Sequence, residues 1–136
     1  MTDREALYSY RLAQAEETLQ DAKLMQEHGG SPRSIINRAY YAMFYAVLAL
    51  FLHAGTVART SKHSGVISIF DKEFVAKGRI DRYYSKILRK TFEIRQDSDY
   101  KEFKELSCED AATHIRLADE FLSGIKRCVS ESQRGS

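Results

Sequence analysis

The sequence contains few residues that interrupt a helix. Its 136 residues include one proline, seven glycines and no tryptophan. Because proline and glycine mark the turns of many-stranded folds, this scarcity argues against a β-sandwich or barrel and favours long helices. The two cysteines, Cys108 and Cys128, have no second pair at the spacing of a zinc site. We therefore predict free thiols in a reducing, cytoplasmic setting, and neither metal nor cofactor.

Charge and hydropathy give no signal for a polyanion or a membrane. The formal net charge of +2 is too small to indicate nucleic acid by itself. The longest apolar run, "AMFYAVLALFLHAG" at residues 42–55, is shorter than the roughly 20 residues of a membrane-spanning helix. We therefore expect a buried core helix there and no membrane insertion. With 43% apolar and 29% charged residues, the composition is that of a globular domain.

The spacing of apolar residues predicts four long helices and one short one. We place them at residues 3–28, 32–53, 62–76, 81–97 and 108–129, the third being the short helix. The polar stretch between the last two is predicted to be a loop from residue 98 onwards. The second helix is so apolar that it should lie centrally or also form a subunit interface.

Capping signals support these boundaries. Ser31 and Pro32 suit the start of the second helix, and Ser61 suits the start of the short one. Ser107, with Asp110 three positions later, resembles a capping box.

The predicted fold is an all-α, up-and-down four-helix bundle with one additional short helix. It forms a single domain over residues 1–130, followed by a disordered tail at 131–136.

The end of the fourth helix carries a polar group that an ordinary core helix does not need. The stretch "IRQDSDY" places Arg95, Asp97, Asp99 and Tyr100 within six positions. Arg95 and Asp99 share a helix face, which allows a simple surface ion pair. However, Arg95 also lies close to the inward-facing stripe. A guanidinium held there could bind a phosphate through two hydrogen bonds.

Two further groups are candidates for a binding site. In "SKHSG", His63 and Lys62 lie in the first turn of the short helix, where a phosphate could bind beside a titratable imidazole. In "NRAYYAMFYA", Tyr41 and its aromatic neighbours could be core, interface or a base-stacking wall. Arg38 in this apolar neighbourhood needs a partner, and Asp99 is one candidate.

Three blocks of the sequence resemble the HEPN domain. They are "SIINRAYYAMFYAVLALFLHAG", "KHSGVISIFDKEFVAKGRID" and "ILRKTFEIRQDSDY". In particular, they resemble the small stand-alone HEPN proteins often encoded beside a minimal nucleotidyltransferase. The resemblance implies a helical bundle that forms a homodimer. Many members are metal-independent ribonucleases, a number are toxins neutralised by the partner nucleotidyltransferase, and others bind RNA or nucleotides without catalysis.

The family motif is matched only in part. It consists of an arginine followed four to six residues later by a histidine, and the motifs of two protomers face each other. Arg95 matches the arginine, but Tyr100 stands where the histidine is expected. Tyrosine, with a reference pKa near 10, is a poor base at neutral pH, and Arg95 would lower the pKa of Asp99. His63 is then the alternative source of an imidazole.

Three functions remain open from the sequence. The first is a nucleotide- or RNA-binding subunit that works with a nucleotidyltransferase partner, in the manner of a toxin–antitoxin pair. The second is a metal-independent endoribonuclease toxin, with Arg95, Asp99, Tyr100 and His63 as catalytic residues. For either of these functions, the candidate nucleotide- or RNA-binding residues are Lys62, Arg38 and Tyr41. The third is a dimer scaffold without ligand. The resemblance also marks Tyr100 as a candidate acceptor of AMP from the partner enzyme.

Overall fold

The chain folds into a bundle of long antiparallel helices. The computed structural model describes residues 2–100 and 105–134, without the side chains of 97–100, 133 and 134. The helices are α1 (Asp3–Glu27), α2 (Pro32–Ala54), α3 (His63–Phe70), α4 (Arg82–Tyr100) and α5 (Cys108–Arg134), and a π-helical turn (Asp71–Val75) extends α3. Within these described ranges there is no strand. The predicted all-α fold is confirmed.

Helix boundaries follow the capping residues, with three differences from the predictions. The Ser107 hydroxyl accepts the Asp110 backbone N–H, and the Asp110 carboxylate accepts that of Ser107, so the capping box is present. Ser61 does not cap α3, which begins at His63 without a side-chain cap. The α4 backbone continues to Tyr100, where a loop was predicted, and α5 continues past residue 129 to Arg134.

Helix α2 is the centre of the bundle. It packs against α1, α4 and α5, and twelve of its residues are buried. By length and apolar composition alone α2 could cross a membrane, but 67% of its most apolar stretch is buried inside the protein. This burial explains the apolar residues on more than one of its faces, because a helix enclosed by neighbours needs them there.

Helix α1 is less buried than its sequence pattern suggested. Leu7 and Tyr10 fall near helical spacing with Leu19 and Ala22, which predicts an inward position, but they are 52% and 66% exposed. Ala15, Leu19 and Ala22 further along the helix form the contact with the core. The first turns of α1 therefore lie at the edge of the bundle, where one apolar stripe cannot be covered along its whole length.

His114 on α5 is a buried histidine with a defined partner. It is 2% exposed, and its Nδ1 lies 2.8 Å from the Thr91 hydroxyl oxygen. That hydroxyl donates its own proton to the Ile87 carbonyl oxygen at 3.0 Å. With the hydroxyl proton directed at that carbonyl, the threonine oxygen is left to accept from a protonated Nδ1. Burial, and then the charge of Lys90, lower the pKa of His114, while Asp110 opposes this shift.

Stability should consequently fall in mild acid. Because the folded pKa of His114 is depressed, the unfolded chain binds the proton more readily. Stability is fully present above the unfolded pKa near 6.5 and is lost as pH falls below it. Urea unfolding at pH 7.5, 6.5 and 5.5 should show a decline of at most about 1.4 kcal/mol per pH unit for each such histidine.

The matched control is a histidine without that burial. His114→Asn should be less stable at neutral pH yet show a flatter pH dependence, whereas His28→Asn, at an exposed position, should keep the wild-type dependence. His53 and His63 also have lowered pKa values, so some pH dependence should remain in His114→Asn. An unchanged pH dependence in His114→Asn would contradict the assignment.

Candidate functional site

Arg95 is held at the side of α2 by three residues of one helix face. Its Nε donates to the Asn37 side-chain oxygen at 2.8 Å. Its guanidinium carbon lies 5.0 Å from the Tyr40 ring centre and 5.2 Å from that of Tyr41. Residues spaced three and four apart on a helix project on the same side, so α2 presents the amide and both rings together. The guanidinium is thus oriented before any ligand arrives.

An open pocket of about 470 Å³ adjoins this arginine. Its lining is Arg33, Ser34, Asn37, Tyr41 and Arg95. Two arginines, an amide, a hydroxyl and an aromatic ring are suited to a phosphate with an attached planar group. The site therefore combines the N-terminal part of α2 with the C-terminal part of α4, which the antiparallel bundle places at the same end.

His63 joins the same group of side chains from the first turn of α3. Its Nδ1 lies 2.7 Å from the Tyr40 hydroxyl oxygen, and its ring stacks on Phe44 at 4.1 Å between centres. The Tyr41 ring meets His63 edge-on at 5.6 Å. Tyr40 therefore contacts both Arg95 and His63. The structure brings together the arginine and the imidazole that the sequence separates by thirty-one intervening positions.

The electrostatics of this group favour neutral rings. Burial, followed by the nearby charge of Arg95, lowers the pKa of His63, so the imidazole is neutral at physiological pH. Burial raises the pKa of Tyr40 far above its ordinary value near 10. Arg95 opposes that shift and Tyr41 adds to it. Arg95 thus places a positive charge beside aromatic groups that are themselves neutral.

The other predicted site residues are placed differently. Lys62 precedes α3 and is exposed. Arg38 forms an ion pair with Asp21 of α1 at 3.0 Å, and both side chains are substantially exposed. Asp21 thus fills the role for which Asp99 was suggested. The side chains of Asp99 and Tyr100 lie outside the described residues, so their roles stay predictions.

Asn37 is the functional candidate that the sequence reasoning missed. It lies three and four positions before Tyr40 and Tyr41, on a helix whose other inward positions are almost all apolar. A lone amide at that spacing was the available signal, because a partly buried amide needs a hydrogen-bond partner. Its partner, Arg95, is 58 positions away in the sequence and could not be identified from α2 alone.

The described residues contain no group of three or more His, Cys, Asp or Glu side chains that could hold a metal ion. A second open pocket, of about 520 Å³, lies at the other end of α4. It is lined by residues that include Arg79, Tyr84, Gly124 and Arg127. Arg127 donates to the Tyr84 hydroxyl there, so one of its N–H groups already has a partner within the protein.

Comparison with known proteins assigns the family. The HEPN domain model matches residues 8–128. A "UPF0332 protein" of Thermotoga maritima is 37% identical over 98% of this chain and 99% of its own length. A Methanocaldococcus jannaschii protein named "Putative toxin" is 36% identical over 86% of this chain and 84% of its own. A second protein of that organism and name is 33% identical over 68% and 61%. The chain belongs to the HEPN family.

Proposed function

We propose that this protein is a toxin-like HEPN subunit that binds a phosphate-bearing ligand, RNA or a nucleotide, at the Arg95 pocket. The observation that carries the proposal is the guanidinium of Arg95, held by Asn37 against Tyr40 and Tyr41 beside an open pocket. A preoriented guanidinium loses little conformational freedom when it binds an oxyanion.

Like the arginine, the aromatic residues suit the proposed ligand. Tyr41 lines the pocket and is only partly buried, so part of its ring is accessible to solvent. Bases of single-stranded nucleic acid stack on such rings, and each stacked base contributes about 1–3 kcal/mol. Phosphate binding by Arg95 beside stacking on Tyr41 describes a nucleotide unit better than a bare inorganic anion.

The proposal includes a partner protein and a second copy of this chain. Two relatives carry the name "Putative toxin", which supports a partner of the antitoxin type. The family resemblance makes a minimal nucleotidyltransferase the specific expectation, with Tyr100 as the residue it modifies. It also makes a homodimer the expected state. Both cysteines are free, Cys108 exposed and Cys128 buried, in keeping with action in the reducing cytoplasm.

Metal-independent RNA cleavage is the second candidate. The observation that favours it is the position of His63, which shares Tyr40 with Arg95. In such a reaction the ribose 2′-oxygen forms a bond to phosphorus and its proton passes to a base. The bond to the 5′-oxygen breaks, and that oxygen keeps the electron pair and takes a proton from water. A neutral imidazole can accept that proton, and a guanidinium can stabilise the crowded phosphorane.

One assay separates the two candidates. Purified wild-type protein and a His63→Ala variant are incubated in excess EDTA with a fluorescent single-stranded RNA. Anisotropy measures binding, and a denaturing gel measures whether the RNA is intact. We expect saturable binding with intact RNA. Cleavage that persists in EDTA and disappears in His63→Ala would establish the nuclease instead.

Absence of both binding and cleavage would contradict the proposal and leave the scaffold hypothesis. A mononucleotide competitor added to the same anisotropy measurement distinguishes a nucleotide site from a longer RNA site. If the mononucleotide displaces the RNA completely, the pocket recognises one unit. The oligomeric state is read from light scattering of the same sample, where a monomer would contradict the dimer expectation.

A further inference from the structure

The buried hydroxyl of Tyr40 has one described hydrogen-bond partner. Tyr40 is fully buried, and among the residues that the structure describes its hydroxyl bonds only to His63 Nδ1, at 2.7 Å. A phenol carries a single proton, and a buried phenol that cannot reach water must donate it to an acceptor. The available acceptor is Nδ1, which can accept only if it carries no proton itself.

His114, which is buried, provides an internal contrast to His63. The Thr91 hydroxyl beside His114 already donates to the Ile87 carbonyl, so its oxygen accepts from a protonated Nδ1. Tyr40 has no such second acceptor within the described part of the chain. Two imidazoles that each bond through Nδ1 to a hydroxyl therefore hold their protons on opposite nitrogens. The neighbouring hydroxyl determines the tautomer in both cases.

The remaining ring nitrogen of His63 is available to a ligand. His63 is partly buried, and in the described chain its Nε2 has no hydrogen-bond partner. No buried side-chain nitrogen or oxygen lacks a partner among those residues, so Nε2 must reach solvent. Tyr41 and Phe44 hold the ring plane in place. The orientation of Nε2 is thereby set.

We propose that Tyr40 is a positioning residue that fixes His63 as the Nε2–H tautomer, so that His63 offers a hydrogen-bond donor, and not a base, to the ligand at the Arg95 pocket. The donor role rests on the proposed function, whereas the tautomer does not. In this state the nitrogen that faces solvent already carries a proton. His63 does not itself line the pocket, but it contacts Tyr41, which does, so Nε2–H can donate to a ligand that extends from Arg95 past Tyr41. It cannot take the proton of a ribose hydroxyl.

The tautomer is tested without any ligand. A long-range ¹H–¹⁵N correlation spectrum of the ¹⁵N-labelled protein at pH 8 distinguishes protonated from unprotonated ring nitrogens. We expect His63 with an unprotonated Nδ1 and His114 with an unprotonated Nε2. Tyr40→Phe should move the ¹⁵N chemical shifts of the His63 ring toward the averaged values of an imidazole that exchanges between its two tautomers. Tyr41→Phe removes a hydroxyl that does not bond to His63 and should leave them unchanged. A wild-type His63 protonated on Nδ1 would overturn the proposal.

The donor role is tested with glutamine, whose side-chain amide places an N–H close to where Nε2–H lies but cannot act as a base. His63→Ala should weaken binding of the single-stranded RNA roughly fivefold, the value of one hydrogen bond of about 1 kcal/mol. His63→Gln should stay within about twofold of wild type. If glutamine binds as weakly as alanine, or alanine as tightly as wild type, the donor role is overturned.

Failure of the donor role can be distinguished from failure of the proposed RNA-binding function. If the Arg95 pocket does not bind RNA, wild type and both His63 variants will all fail to bind, while the spectrum still reports the tautomer. If the protein is a nuclease with His63 as its base, His63→Gln will lose cleavage as completely as His63→Ala. Cleavage of that kind would overturn the donor proposal and establish the second candidate.

Discussion

Replacing Arg95 with alanine is expected to weaken binding of single-stranded RNA by roughly 10- to 100-fold, because a charge-assisted hydrogen bond contributes about 1.5–3 kcal/mol. Arg95→Lys should give an intermediate loss, since it keeps the charge but not the planar fork that Asn37 orients. Fluorescence anisotropy at fixed salt gives the three dissociation constants. The salt must be fixed because every phosphate contact depends on ionic strength.

Arg38 provides the matched control for charge. It lies one residue after Asn37, but its guanidinium pairs with Asp21 of α1 and does not line the pocket. Arg38→Ala should therefore change the affinity less than about threefold, and the exposed ion pair should contribute less than about 1 kcal/mol to stability. Equal losses in the two alanine variants would show a diffuse basic surface, with Arg38 part of it as the sequence suggested. Thermal melts check that both variants remain folded.

Replacing Gly124 with alanine should lower the stability of the wild-type protein but raise the stability of a Tyr84→Ala variant. A Cβ at this position would lie within 3 Å of three ring atoms of Tyr84. Tyr84 would have to move, at the expense of its ring contact with Phe121 and its hydrogen bond from Arg127. Such overpacking costs about 1–3 kcal/mol. In the wild-type background we therefore expect Gly124→Ala to destabilise.

Removing the Tyr84 ring should reverse the sign of the stability change that Gly124→Ala causes. In a Tyr84→Ala background the added methyl has space, and alanine is favoured over glycine inside a helix by about 1 kcal/mol. Gly124→Ala should then stabilise the protein by about that amount. Urea unfolding of the four proteins gives the coupling energy directly. Destabilisation of equal size in both backgrounds would contradict the role of Tyr84. Ser123→Ala, at the exposed neighbouring position, controls for helix propensity alone.

The pocket that contains Gly124 and the pocket beside Arg95 lie at opposite ends of α4. About thirteen residues separate Arg82 from Arg95, which is close to 20 Å along a helix. The Gly124 substitutions therefore provide a test of function as well as of packing. In folded Gly124 variants the RNA affinity at Arg95 should be unchanged. A change would indicate that the two ends of the bundle are coupled.

The sequence by itself determined the helices, because their signals are local. Apolar spacing and caps act over one or two turns, so the capping box of Ser107 and Asp110 and the buried face of α2 were predictable. Arg95 was predictable as a candidate because it lies close to an inward stripe. Local signals define helix ends less sharply: α4 continues beyond residue 97, since polar residues are compatible with helix as well as with loop.

Only the tertiary structure decided which side chains meet. Contact between His63 and Tyr40 depends on how the chain returns after α2, and the bond from Arg95 to Asn37 on how α4 packs against α2. The same holds for Arg38, which pairs with α1, and for Leu7 and Tyr10, which the bundle leaves exposed. Local propensity carries no information about these distant partners, because their energies arise only when the helices pack. The site therefore depends on the fold, although its arginine was visible in the sequence.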